Sequence, residues 1–328
     1  WMLLRRRRFL PLFITQVLGA FNDNVFKNAF VVLIAFSLAS DLDQFTGIGA
    51  TVWVNIVAGL FILPFFLFSG LAGFIADYVE KSRAIRWIKG MECVLMIVAA
   101  VGFLLKDSHS MVSFGILMVV LILMGTQSAF FGPFKYSILP DHLNPNELIG
   151  GNAMISFGTF LSILLGTVIG GGIILLDFGV WYMHGSVCIS GIVIFFAILG
   201  FVSSFSIPKA ESVNEPIQFR LFLTTFSAIR SVFQKRRLVL SMLGISWFWF
   251  LGAIFLAQFP TFSRTILGGS ENVMTLLIMM FSMGVAIGSL CCNRLLKGFI
   301  RATFVPVAAL GISIFAIDLY FASCGVQL

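Results

Sequence analysis

The stretch FITQVLGAFNDNVFKNAFVVLIAFSLA, from Phe13 to Ala39, is apolar enough to cross a membrane, yet it carries polar residues at its centre. A helix of about 20 apolar residues spans the hydrocarbon core of a bilayer. Asp23 lies fifteen residues after Arg8, which at about 1.5 Å per residue places it near the bilayer middle. A charged side chain at that depth costs at least about 2.5 kcal/mol and therefore faces a cavity or a partner. The stretch predicts a membrane helix with a functional inner face.

The rest of the chain has the composition of an integral membrane protein. Of its residues, 59% are hydrophobic and 11% are charged, whereas about 25% of the residues of a soluble domain are charged. Long continuous apolar runs predict helices rather than the short alternating strands of a membrane barrel. We expect an all-α membrane bundle with nine spans, at about residues 9–39, 50–76, 84–105, 111–134, 148–176, 180–207, 238–264, 271–293 and 302–322.

Basic residues concentrate in the loops on one side of these spans. The loop cations include Lys135 and, in two larger groups, Arg5–Arg8 and Lys81, Arg83, Arg86 and Lys89. The positive-inside rule makes these loops and the N-terminus cytoplasmic. We interpret the positive charge as a sign of topology and of attraction to membrane lipids, and predict no nucleic acid partner. Glu92, near the same surface, is expected to pair with loop cations.

A polar segment, IPKAESVNEPIQFRLFLTTFSAIRSVFQKRR from Ile207 to Arg237, divides the spans into two groups. Its second half is basic and amphipathic, which predicts a helix lying on the cytoplasmic leaflet. Six spans, a linker and further spans are the plan of transporters built from two halves with inverted repeats. We expect a six-helix half at 1–207, a linker with the amphipathic helix at 208–237 and an incomplete three-helix half at 238–328. Nine spans of an expected twelve suggest part of a longer protein.

A loop motif follows the second span in the sequence GLAGFIADYVEKSRAIR. Gly73, Asp77, Lys81 and Arg83 resemble the motif of the major facilitator superfamily, in which a glycine precedes an aspartate and basic residues in a cytoplasmic turn. The resemblance implies a conformational latch at these four residues. Further along, the small residues of GTFLSILLGTVIGGG, from Gly158 to Gly172, predict close helix packing or bending.

Three stretches carry a closer resemblance: FLPLFITQVLGAFNDNVFKNAF, FFGPFKYSILPDHLNPNELIGGNA and WFWFLGAIFLAQFPTFSRTILGG. They are similar to the lysophospholipid transporter family of that superfamily, and most to members fused to an acyltransferase and an acyl-acyl-carrier-protein synthetase. The resemblance implies inward movement of lysophosphatidylethanolamine to the cytoplasmic leaflet of a bacterial inner membrane, for reacylation by such domains in cis or in trans. Gln258 is neutral where stand-alone members carry a basic residue.

The first helix supplies the candidate substrate site. With 3.6 residues per turn, Gln16, Asp23 and Lys27 lie on one stripe. Asp23 and Lys27 match the ammonium and phosphate of a zwitterionic head group, and the amides match its hydroxyl and ester oxygens. The predicted ligands are Asp23, Lys27, Asn22, Asn24, Gln16 and Gln258. Two alternatives remain open: a self-neutralising Asp23–Lys27 pair at i, i+4, and a proton relay.

Other function classes remain as alternatives for the whole chain. A facilitator for another amphiphile or drug would have the same architecture. A membrane-embedded acyltransferase would need a catalytic pair, for which His142 and Glu147 are a loose match to a His-x4-Asp pattern. We find no phosphate-binding loop, nucleophile constellation or metal-type cysteine spacing, and predict a transporter rather than an enzyme, with no cofactor.

Overall fold

The computed structural model describes residues 2–177, 184–210, 233–268, 271–296 and 302–324. Nine long helices run through these ranges, and we label them α1 Leu10–Val32, α2 Ala50–Tyr78, α3 Lys81–Leu104, α4 Ser110–Ser137, α5 Leu148–Ile173, α6 Gly185–Ser204, α7 Arg236–Thr261, α8 Glu271–Leu296 and α9 Val305–Cys324. Within the described part of the chain, all nine are long and apolar enough to cross a membrane. The predicted all-α membrane fold is confirmed.

Local sequence explains where several helices begin and how far they run. The Glu80 side chain accepts hydrogen bonds from the backbone N–H groups of Ser82 and Arg83 and so caps α3. A π-helical turn, Leu33–Ser37, extends α1. Pro133 lies inside α4, which nevertheless continues to Ser137 rather than ending near residue 134. Helix-breaking residues are tolerated inside membrane helices where neighbouring groups satisfy the backbone.

The first six helices form one compact unit, and a second unit contains α7, α8 and α9. In the first unit, α1 packs on α5 and α6, α4 packs on α2 and α3, and α3 packs on α6. The two halves of this unit correspond helix by helix: α1 to α4, α2 to α5 and α3 to α6. When each helix is replaced by its counterpart, the same packed pairs result. The exchanged helices run in opposite directions through an alternating bundle. The packing therefore has the pairing of an inverted repeat of three helices.

Glycines allow the backbones of two equivalent helix pairs to approach closely. A Cβ at Gly166 or Gly170 of α5 would meet the backbone of α1 at Val25, and a Cβ at Gly125 of α4 would meet the backbone of α2 at Phe61. Small residues permit such approach between membrane helices. The packing interpretation of the small residues in α5 is confirmed.

In the second unit, α7 and α8 pack together. The rings of Phe259 and Phe281 meet edge to face, with centroids 6.0 Å apart. The predicted amphipathic helix of the linker lies mainly in residues 211–232, outside the described ranges. The proposed boundaries at 207 and 237 stay predictions, although the helices do group into a set of six and a set of three.

Candidate functional site

Asp23 lies half-buried on α1, and only one of its two carboxylate oxygens accepts a hydrogen bond from a described residue. Its Oδ2 accepts a hydrogen bond of 2.6 Å from the hydroxyl of Ser128 on α4. Its Oδ1 is buried and has no hydrogen-bond partner among the described residues. A buried carboxylate oxygen without a donor is costly. Asp23 therefore retains the capacity to bind a cationic or hydrogen-bonding group.

Lys27, one turn further along α1, is also half-buried. Its ammonium lies 3.3 Å from Oδ1 of Asn24 and 5.4 Å from the centre of the Phe61 ring on α2. In the described part of the chain, neither Lys27 nor Asp23 forms an ion pair, with each other or with another residue. The geometry therefore does not show the self-neutralising salt bridge that the i, i+4 spacing allows.

A second acid–base pair lies deeper in the unit. The Lys89 ammonium is 2.6 Å from Oε2 of Glu92, and the two side chains are 2% and 1% exposed. Glu92 does pair with one of the cations that were counted with the loops, but placing Lys89 in a loop was wrong, because α3 carries both residues into the interior of the bundle. Lys135, also counted as a loop cation, belongs to α4.

The buried pair touches both α1 and α4. Asn22 Nδ2 donates to Glu92 Oε1 at 3.3 Å, and Gln127 Nε2 donates to Glu92 Oε2 at 3.2 Å. The Lys89 ammonium lies 4.5 Å from the centre of the Phe131 ring. It also occupies the space that a Cβ at Gly19 would need. The pair is thus a junction of three helices.

The structure brings together only some of the predicted ligands. Asp23, Lys27 and Asn24 form one group on α1. Gln16 instead faces α5, where its amide donates to the Ile155 carbonyl at 3.1 Å and accepts from Thr159 at 3.1 Å. Asn22 faces α3, as described above. Gln258 is exposed on α7 in the second unit, and its role stays a prediction.

No side-chain hydrogen bond or ion pair joins the four predicted latch residues, all of which the structure describes. Asp77 is exposed in the last turn of α2, and its side chain makes no hydrogen bond or ion pair with another described residue. Lys81 instead pairs with Asp141, which follows α4, at 2.6 Å. Arg83 is exposed, and a Cβ at Gly73 would meet open space. A latch role in another conformation stays a prediction.

Charged residues also tie the loops together at this end of the first unit. Arg8 donates to both carboxylate oxygens of Glu147 at 2.7 Å and to the His142 carbonyl at 3.0 Å. Glu147 in addition accepts from the backbone N–H of Asn144. The carboxylate that the His-x4-Asp comparison would make catalytic therefore has a structural role. In the described ranges, no three His, Cys, Asp or Glu side chains come together to hold a metal ion.

Sequence reasoning missed Lys89, Gln127 and Ser128 as members of this polar interior. One signal was available: Lys89 and Glu92 lie three residues apart inside a predicted span, and charges inside spans mark the bundle interior. Serine and glutamine give no such signal, because single polar residues are common in membrane helices.

Several known proteins are similar to this chain in sequence or in structure. Lysophospholipid transporters LplT from Yersinia pestis (strain Pestoides F), Yersinia pestis bv. Antiqua (strain Angola) and Yersinia pseudotuberculosis serotype O:3 (strain YPIII) are each 25% identical to this chain over 287 residues. The alignment covers 86% of this chain and 63% of each relative's length. The human organic anion transporter MFSD10 (TETRAN) has a structure similar at a TM-score of 0.47, with 14% identity over 90% of this chain and 86% of that one.

A family model extends over nearly the whole chain. The model of the Major Facilitator Superfamily matches residues 12–326. That range includes all the helices α2 to α9 and most of α1, with Asp23, Lys27 and the buried pair. The chain belongs to the Major Facilitator Superfamily.

Proposed function

We propose that this protein moves lysophospholipids, and lysophosphatidylethanolamine in particular, across the bacterial inner membrane to the cytoplasmic leaflet for reacylation. The observation that carries the proposal is the state of two opposite charges on α1. Among the residues that the structure describes, one carboxylate oxygen of Asp23 has no donor and the Lys27 ammonium has no carboxylate partner. The names of the Yersinia relatives support the same substrate class.

The chemistry of a zwitterionic head group fits these two charges. Its ammonium would bind the open Oδ1 of Asp23, and its phosphate would bind the Lys27 ammonium, which has two unused N–H donors. Binding in this way replaces the water that the head group leaves behind when it enters the low-dielectric membrane interior. A dissociated pair can do this, whereas a closed Asp23–Lys27 salt bridge would first have to break.

The single acyl chain needs an apolar path beside the charged site. The Phe61 ring of α2 lies under Lys27 and contacts the Phe65 ring, with centroids 6.0 Å apart. On the same helix, Phe66 is 84% exposed. These three phenylalanines of α2 would offer the acyl chain apolar contacts beside the charged site.

Transport would proceed by alternating access, in which the site is open to one side of the membrane at a time. Acyltransferase and acyl-acyl-carrier-protein synthetase domains would act on the product in the same or a separate chain. A facilitator for another amphiphile or drug is the alternative. It shares the fold but does not require a matched pair of opposite charges.

Uptake of radiolabelled lysophosphatidylethanolamine into spheroplasts tests the proposal. We expect Asp23→Asn and Lys27→Met each to reduce uptake to background, because each removes one charge that the head group requires. Breaking a buried charge arrangement costs about 3–5 kcal/mol of binding, which corresponds to more than a hundredfold loss. Membrane insertion should remain normal, because the described helices pack through other contacts.

The double variant separates substrate binding from mutual neutralisation. If Asp23 and Lys27 only neutralise each other, the double replacement should restore uptake, because no isolated charge remains. The control is the ion pair of Lys106 and Asp107 in the turn after α3. Its Lys106 Nζ and Asp107 Oδ1 atoms are 2.6 Å apart. Lys106→Met and Asp107→Asn should leave uptake near the parent level. Parent protein that takes up no lysolipid would contradict the proposed function.

A further inference from the structure

The hydroxyl of Ser128 has one hydrogen and two acceptors within reach. Asp23 Oδ2 is 2.6 Å away and Gln127 Oε1 is 3.2 Å away. A hydrogen bond to a carboxylate is shorter and stronger than one to an amide. The hydrogen therefore points to Asp23, and Ser128 holds Oδ2 on the α4 side of the interior.

Gln127 is fixed in turn by the buried pair. Its side chain is 4% exposed, its Nε2 donates to Glu92 Oε2 at 3.2 Å, and the same nitrogen lies 3.5 Å from the Ile88 carbonyl. Glu92 cannot move freely, since Lys89 and Asn22 also bind its carboxylate. Gln127 and Ser128 are consecutive residues of α4, so the contacts of Gln127 with this pair hold the stretch of α4 backbone that carries the Ser128 hydroxyl.

The consequence for Asp23 is a defined carboxylate orientation. With Oδ2 bound on the α4 side, Oδ1 is the oxygen that stays without a donor. Without the Ser128 hydroxyl, the carboxylate could rotate about its last bond, and a bound cation would meet a distribution of orientations. Holding a ligand group in one geometry is a large part of specific binding.

We infer that Ser128 and Gln127 are positioning residues, anchored on the Lys89–Glu92 pair, that orient Asp23 toward the ammonium of the head group and so set the preference for ammonium-bearing lysolipids. This inference rests on the proposed function. It adds a prediction that the function alone does not make: a change at Ser128 affects substrates according to their head group. Lysophosphatidylglycerol has the same phosphate and acyl chain but no ammonium, so it serves as the reference substrate.

The experiment compares uptake of the two lysolipids by the full chain in spheroplasts. Ser128→Ala should raise KM for lysophosphatidylethanolamine about tenfold, the loss expected for one hydrogen bond to a charged group. It should change KM for lysophosphatidylglycerol less than about twofold, and leave the maximal rates near the parent values. Ser128→Thr retains the hydroxyl and should retain the parental ratio of the two KM values.

The matched control is Ser162→Ala. Ser162 is a buried serine of α5 that donates to the Val17 carbonyl of α1 at 2.9 Å, and it has no bond to Asp23 or Gln127. Ser162→Ala should not change the ratio. Should Ser128→Ala fail to accumulate in the membrane, Ser128→Cys keeps the side chain's size, donates only weakly and must shift the ratio in the same direction.

The outcomes separate the two proposals. If the parent transports lysolipid but Ser128→Ala leaves the ratio of the two KM values unchanged, or weakens uptake of both lysolipids equally, the positioning role alone is overturned. Parent protein that transports neither lysolipid overturns the proposed function and this inference with it. A rise in KM for the ammonium-bearing lysolipid alone in Ser128→Ala, with parental values in Ser128→Thr, supports the proposed function and the positioning role together.

Discussion

At the scale of single residues, neighbouring carboxylates in one loop have different environments. Asp77 matches the superfamily motif but is exposed, and its carboxylate forms no hydrogen bond or ion pair within the described ranges, whereas Glu80 caps α3 and binds the chain beyond α6. The Glu80 carboxylate accepts from the backbone N–H of Ala210 at 3.1 Å. In this conformation Glu80, not Asp77, connects the loop after α2 to the end of the first unit.

The pKa of Glu80 gives this contact a measurable pH dependence. Burial raises the pKa, but hydrogen bonds from the Ser82 hydroxyl and from three backbone N–H groups lower it more, so it lies below the ordinary 4.5. A depressed pKa stabilises the folded state above the unfolded-state pKa, and that stabilisation is lost as pH falls through the folded-state pKa.

We therefore expect Glu80→Gln to lower the melting temperature at neutral pH and to reduce its further decline as the pH falls below about 4.5, because glutamine does not titrate. Melting curves of detergent-purified protein at several pH values provide the measurement. Asp77→Asn is the control, since Asp77 makes no such contact. A decline in Glu80→Gln as steep as in the parent would contradict the assignment.

The site was predictable from sequence only in part. Asp23 and Lys27 stood out because a charge within an apolar run must face a cavity or a partner rather than lipid. The residues around Asp23 and Lys27 could not be predicted, because a helical stripe shows which residues share a face but not which helix packs against that face. Ser128 became part of the site only when α4 packed beside α1. Glu92 was misplaced for the same reason: its depth was estimated along its own helix, without neighbours.

At the scale of secondary structure elements, the contact between α1 and α5 depends on residues that lack side chains. A Cβ at Gly170 would lie 2.9 Å from the Cα of Val25, closer than real Cβ atoms come to backbone. Gly172, in the last turns of the same helix, has open space around it. Hydropathy predicted the ends of the helices to within a few residues. It did not predict that α5 packs against α1, since any of the apolar helices could have packed there.

Gly170→Ala should force α1 and α5 apart and destabilise the protein by about 1–3 kcal/mol, the usual cost of overpacking. Gly172→Ala, the matched control, should be neutral. Thermal aggregation of the detergent-solubilised protein measures the difference. Equal melting temperatures for the two variants would show that the helices separate without cost, against the backbone contact described here.

At the scale of the whole molecule, the distribution of charge predicts one orientation in the membrane. The loop after α2 should face the cytoplasm and the turn after α3 the opposite side. Arg83, in the first turn of α3 beside that loop, and Ser108, in that turn, are both exposed. They are suitable positions for single cysteines in a chain whose five native cysteines have been replaced.

A membrane-impermeant maleimide should label Ser108→Cys in intact spheroplasts and Arg83→Cys only after permeabilisation. A permeant maleimide should label both and controls for reactivity. The opposite pattern would place the N-terminus outside and would reverse the direction in which the charged loops face.

The hydrogen bond between Asp23 and Ser128 also has a consequence for the insertion of the helices into the membrane during synthesis. The two residues are 105 positions apart, and at about 5–20 residues per second the ribosome adds Ser128 roughly 5–20 s after Asp23. During that interval α1 has left the ribosome, but the helix that binds its carboxylate does not yet exist. Lone charges are expensive in lipid, so α1 should stay in the hydrated insertion channel until α4 arrives. The first helix to be synthesised would then be among the last to reach its final place.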